Sequence, residues 1–96
     1  MRESAIEAYL RDRVKELGGK AYKFVSPGNT GVPDRLVCLP GGRVVFVELK
    51  APGKKPTAMQ LAQQRRLAEL GFLVLTLDSK KKINAEISIW KEVWKL

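Results

Sequence analysis

The sequence predicts an α/β fold in which one mixed four-stranded sheet is flanked by helices, in the order α-β-β-β-α-β-α. Three observations lead there. Apolar side chains recur at three- and four-residue spacing near the start of the chain, two strand-like runs flank Pro40-Gly41-Gly42, and a helical segment separates the second run from a further apolar strand. The 96 residues are enough for one compact domain spanning 1–96, with a single core.

From Glu3 to Leu17 the residues Ala5, Ile6, Tyr9, Leu10, Val14 and Leu17 mark one face of an amphipathic helix, which Gly18-Gly19 ends. Lys20–Val25 suits a short strand with some polar exposure, and Ser26–Gly31 is dense in turn residues. Arg35–Leu39 and Arg43–Lys50 then form a hairpin across Pro40-Gly41-Gly42. The second of these strands is apolar on both faces, which predicts a central position with helices packed on both sides. Ala51–Pro56 is a basic loop, and Thr57 with Gln60 three residues later resembles a capping box opening a helix that runs to Gly71. Phe72–Leu77 reads as a buried strand, and the strand-helix-strand succession implies a right-handed parallel crossover. Ser79 is placed to cap a last helix, in which Ile83, Ile87, Trp90 and Trp94 form one apolar stripe. That stripe is expected to serve as core or interface; stacking of the two tryptophans on unpaired bases is the alternative.

Composition narrows the chemistry. Lys and Arg number 18 against 10 Asp and Glu, a net charge of +8, which makes nucleic acid the first candidate partner. Histidine is absent, excluding an imidazole base, and the single Cys38 excludes both a disulfide framework and a thiolate-rich zinc site. The N-terminus has no apolar leader and no run is long enough to span a bilayer, so a cytoplasmic protein without a membrane partner is expected.

The remaining chemistry lies in Gly31-Val32-Pro33-Asp34 and Glu48-Leu49-Lys50. Alternate strand residues share a face, so Glu48 and Lys50 project together, and the hairpin brings Asp34 back beside Glu48. Two converging carboxylates repel unless a cation neutralises them, and Mg²⁺ held by carboxylates, waters and a phosphate is the usual arrangement. Lys50 is suited to donate near the attacking water or the developing phosphorane charge. A solvated ion pair at a strand end is the competing explanation, but one beside a Pro-Asp turn at the end of Val44-Val45-Phe46-Val47 is poorly explained by solubility alone. Lys54, Lys55, Arg35, Lys23 and Lys20 are candidates for neutralising a substrate backbone.

Pro33-Asp34, then Glu48-Leu49-Lys50 after thirteen intervening residues, resembles the PD-(D/E)XK nuclease signature. Nearly the whole chain resembles the small stand-alone VRR-NUC members of that superfamily found in phages and bacteria. The match rests on Gly31–Arg35, on Val45–Gly53, and on Gln60 at the start of the second helix. The resemblance implies a restriction-endonuclease-like fold and a metal-dependent nuclease. It implies Asp34 and Glu48 as Mg²⁺ or Mn²⁺ ligands, the Leu49 carbonyl as a further ligand, and Lys50 as the catalytic lysine. It also implies an acid from the first helix: Glu3 fits the Glu-x-x-Ile pattern through Ile6, and Glu7 one turn later is the rival. Either glutamate also suits a helix N-terminus without any site. Gln60 matches a family glutamine that orients Lys50 or a phosphate, although the capping box alone accounts for it.

The expected function is a structure-selective DNA endonuclease resembling Holliday-junction resolvases, acting as a homodimer through Phe72 or the tryptophan stripe. A non-catalytic nucleic-acid-binding module with a vestigial acidic site is the alternative.

Overall fold

The computed structural model describes residues 1–96. Its elements are α1 (Glu3–Glu16), β1 (Lys20–Lys23), β2 (Arg35–Leu39), β3 (Arg43–Leu49), α2 (Ala58–Glu69), β4 (Leu73–Leu77) and α3 (Lys80–Trp94). The strands form one sheet in the order β1-β2-β3-β4. The first three run antiparallel to their neighbours, and β4 returns through α2 to pair parallel with β3. The mixed sheet and the element order match the expectation. No helix is long and apolar enough to cross a membrane.

α1 buries Ile6, Leu10 and Val14 completely. It stops because Gly18, at φ +82, takes the left-handed turn that lets its N–H reach the Lys15 carbonyl while that of Gly19 reaches Val14. The chain enters β1 at once, and Gly19 is required there: a Cβ would lie 2.5 Å from the Cys38 carbonyl oxygen.

Alternation along the strands divides the sheet into two unlike faces. On one, Val37, Leu39, Val45, Val47, Leu49 and Leu77 meet Ile6, Leu10 and Val14 of α1 and Ile83, Ile87 and Trp90 of α3 in a continuous dry core. Each of these larger side chains contributes about 1.5–3 kcal/mol by leaving water. On the other face Phe46 packs between Phe24 and Phe72, with ring centroids 5.5 and 5.3 Å apart. α2 crosses this face without fully burying any residue. β3 is central with helices on both sides, as expected, but the two covers are unlike. α2 turns glutamines rather than a full apolar stripe toward the sheet, and β4, expected to be buried, is an edge strand with Phe72 and Leu73 42% and 38% exposed.

Strand ends also shift. β1 ends at Lys23, although the Phe24 N–H still donates to the Asp34 carbonyl at 2.8 Å, and β3 ends at Leu49 with the Lys50 N–H donating to Leu77 at 3.1 Å. α3 is helical as its stripe predicts, capped by the Ser79 hydroxyl, which accepts from the Lys82 N–H at 3.1 Å. Trp90 is a core residue, 1% exposed, and Trp94 stacks on it at 6.3 Å.

Candidate active site

The register of the hairpin sets the site. Arg35 pairs with Val47 and Leu36 with Phe46, so the next step along the ladder puts Asp34 opposite Glu48 on the α2 side of the sheet. The Leu49 N–H donates to Asp34 Oδ2 at 2.9 Å, fixing the Asp34 carboxylate across the end of β3. On the other flank Glu48 neighbours Thr76 of β4.

Glu48 is the only fully buried charged side chain, at 1% exposure. Lys50 Nζ lies 3.5 Å from its Oε2, and the Gln60 side-chain amide donates to the same oxygen at 3.1 Å. Oε1 has no partner. Burial raises the Glu48 pKa from 4.5 to about 7; Asp34 adds to the rise by accepting a shared proton and by its charge, and Lys50 opposes it. With both acids ionised, Asp34, Glu48 and Lys50 leave one net negative charge and an orphaned, desolvated oxygen. A hard dication bound by oxygen ligands fits that deficit better than any neutral partner, so the residues present suit the metal the sequence implies.

α2 is positioned for this contact by its first turn. The Thr57 hydroxyl accepts from the Gln60 N–H at 3.2 Å and Gln60 Oε1 accepts from the Thr57 N–H at 2.9 Å, a complete capping box. The same Gln60 amide supplies its Nε2 to Glu48, so the capping role and the contact with the acid belong to one side chain. Gly31 brings the preceding loop against this turn. It sits at φ +92, and a Cβ there would lie 2.8 Å from the Met59 carbonyl carbon and oxygen. Gln63 Nε2 donates to the Thr30 carbonyl at 3.2 Å, closing the same junction.

The structure thus brings Asp34, Glu48, Lys50 and Gln60 together, with Leu49 between the acids. It does not bring the helix acids to them. No third carboxylate joins Asp34 and Glu48. Glu3 is exposed in the first turn of α1, and Glu7 pairs instead with the Arg35 guanidinium. Arg35 and Lys23 are cross-strand partners on the α1 side of the sheet, away from the carboxylates, because each is an odd step from Asp34 along the ladder. Arg35 is accordingly a tie between β2 and α1 rather than a free backbone contact. Lys54 and Lys55 are exposed on the loop after β3.

Two features escaped the sequence reading. Gln64 pairs with Thr76 at 3.1 Å, a second amide contact one turn beyond Gln60. The Gln60-x-x-x-Gln64 spacing was the available signal for a polar helix face turned toward the sheet. The second feature, Asp78, accepts from the Gly53 N–H at 3.2 Å and pairs with Lys82 at 3.0 Å.

No protein-family model matches the chain. It is 58% identical over 80 residues to "Putative nuclease p44" of Acyrthosiphon pisum secondary endosymbiont phage 1, covering 83% of this chain and 86% of the phage protein. A solved structure titled "VRR_NUC domain" superposes with a TM-score of 0.85 at 34% identity, over 90% of this chain and 94% of that one. On this likeness of sequence and fold across nearly the whole length, the chain belongs to the VRR-NUC family of the PD-(D/E)XK nuclease superfamily.

Proposed function

We propose that the protein is a Mg²⁺- or Mn²⁺-dependent endodeoxyribonuclease that hydrolyses phosphodiester bonds in branched DNA. Membership of a nuclease family supplies the reaction class and a nucleic-acid substrate. The observation that carries the metal dependence is the buried, unpartnered Oε1 of Glu48 opposite Asp34 and beside Lys50.

Asp34, Glu48 and the Leu49 carbonyl would hold the cation, waters and a substrate phosphate completing its shell in place of an α1 acid. The bound ion supplies Lewis-acid polarisation of the scissile phosphate and lowers the pKa of a water. The chain's own groups do the rest. Lys50 directs an ammonium to the face where the phosphate must approach, offering a donor for the attacking water and for negative charge gathering on the phosphoryl oxygens. Gln60 holds Glu48 Oε2, keeping Oε1 free to ligate, and the Leu49 N–H does the same for one oxygen of Asp34. Lys54 and Lys55 contact the substrate backbone.

Cutting a junction on two strands calls for two sites related by a two-fold axis, and we propose a homodimer. The exposed Phe72 and Leu73, which with Val44 and Trp94 line a groove of about 280 Å³, support a contact at that end of the sheet. The phage origin of the relative supports action in the cytoplasm of a bacterial or phage-infected cell.

The test incubates labelled four-way junction, flap and linear duplex DNA with Mg²⁺, Mn²⁺ or EDTA, comparing wild type with Asp34→Ala and Lys50→Ala. Metal-dependent cutting that both substitutions abolish, with binding retained, supports the enzyme. Binding without cutting under every condition would establish the non-catalytic module instead.

A further inference from the structure

The net charge is unevenly distributed. Residues 50–82 hold eight basic and two acidic side chains, six of the eight net positive charges. Part of this charge violates a local rule of helix stability. The first turn of α3 is Lys80-Lys81-Lys82 with no acid, so three ammonium groups crowd the positive end of the helix dipole, where carboxylates are normally favoured. Asp78 offsets one of the three charges through Lys82, and a local rule left only partly compensated tends to mark a functional surface.

The structure connects this turn to the candidate site. The Lys50 N–H donates to the carbonyl of Leu77, the last residue of β4 and the strand partner of Leu49, so α3 starts a few residues from the row that holds the acids. Asp78 then ties the two basic segments together, accepting from the Gly53 N–H of the Lys54-Lys55 loop through Oδ2 and pairing with Lys82 through Oδ1. Lys82 is therefore committed to Asp78. Lys80 lies 5.1 Å from the Tyr9 ring centroid, and the Tyr9 hydroxyl donates to Asn84 at 2.6 Å, fixing that ring at the seam of α1 and α3. Lys81 has no ion-pair partner and is exposed.

We propose that Lys80 and Lys81, at the helix start that Asp78 ties to Gly53 of the Lys54-Lys55 loop, form a second backbone-contacting rim that grips the DNA strand flanking the cleaved phosphate. The inference rests on the nuclease reading for the identity of the polyanion. The geometry adds the place where the flanking strand lies: past the end of β4, along the start of α3. Asp78 acts as a positioning residue, setting the spacing of the two rims without touching DNA.

The test measures binding of fluorescein-labelled DNA duplex in EDTA across a series of salt concentrations, for wild type, Lys80→Gln/Lys81→Gln and Lys82→Gln, with melting temperature recorded for each. Each lost phosphate contact removes about 0.9 from the slope of log affinity against log salt. The double variant is expected to lose about 1.8 of slope and tens of fold in affinity near 0.1 M salt, with an equal or higher melting temperature because the helix dipole is relieved. Lys82→Gln should change the slope by about half as much as one of the other lysines or less, given its partner. An unchanged slope in the double variant overturns the proposal, as does a melting temperature that falls in step with affinity. Polyglutamate competing as well as DNA at equal charge would also overturn it, pointing to an acidic protein. Failure of the nuclease reading is separately visible: wild type would then cut no DNA in Mg²⁺ or Mn²⁺ whatever the slopes. Wild type that cuts while the double variant keeps its slope refutes this inference alone.

Discussion

Glu48→Gln should stabilise the metal-free protein at alkaline pH while abolishing cleavage. The side chain is 1% exposed, and its pKa rises from 4.5 to about 7 chiefly through burial, with Asp34 adding to the rise. A carboxyl whose folded pKa is raised binds its proton more tightly when folded. Its ionisation therefore costs nothing below about pH 4.5, removes stability progressively between pH 4.5 and 7, and imposes the full cost above that. A rise of about 2.5 units at 1.36 kcal/mol each corresponds to about 3 kcal/mol. Glutamine has the same shape, can accept from Gln60 and donate toward Asp34, and carries no charge. Urea unfolding in EDTA should find Glu48→Gln about 3 kcal/mol more stable than wild type at pH 8 and nearly equal at pH 4.5. For a chain of this size that is about 4–8 °C of melting temperature for each kcal/mol. Equal or lower stability of the variant at pH 8, or a difference independent of pH, would refute the reasoning that a buried, incompletely compensated charge is maintained at the site.

Lys50→Ala should lower kcat by about 10²–10³-fold, the typical loss for one preorganised donor, with DNA affinity within about tenfold of wild type; a lost affinity with unchanged kcat would make Lys50 a binding residue only. Thr57→Ala and Gln60→Ala both break the capping box and should each cost about 1 kcal/mol in urea unfolding. Only Gln60→Ala releases Glu48, so it alone should lose about 10–100-fold in metal affinity or activity; equal activities would reduce Gln60 to a cap. Gly31→Ala puts a methyl 2.8 Å from the Met59 backbone at a φ of +92, and about 1–3 kcal/mol of lost stability with reduced activity is expected from thermal melting and cleavage assays.

Much of this was legible in the sequence because several signals agreed. The Gly18-Gly19 stop, the Pro40-Gly41-Gly42 hairpin and the Ser79 cap are local chemistry, and period-2 alternation was enough to place Glu48 and Lys50 on one face. The register then follows from the hairpin and puts Asp34 opposite Glu48. Long-range choices were less visible. Nothing local distinguishes an apolar edge strand from a central one, so Phe72–Leu77 reads as buried until its neighbours are known. Arg35 shows the same limit in the site: its charge suggested a substrate contact, but parity turns it to the α1 side, where Glu7 lies 28 positions away in sequence. Gln60 was legible as both a cap and a site residue orienting Lys50 or a phosphate, but its partner, Glu48 Oε2, was not. Asp78 carried no motif, and its role emerges only where a loop and a helix start are brought together.

The central claim is that Asp34 and Glu48 form one dication site, and Mn²⁺ titration at pH 8 followed by electron paramagnetic resonance tests it most directly. Wild type should bind Mn²⁺, while Asp34→Asn and Glu48→Gln, both folded, should lose that binding. Wild-type protein that leaves Mn²⁺ free, or variants that take it up as tightly as wild type, would contradict the account.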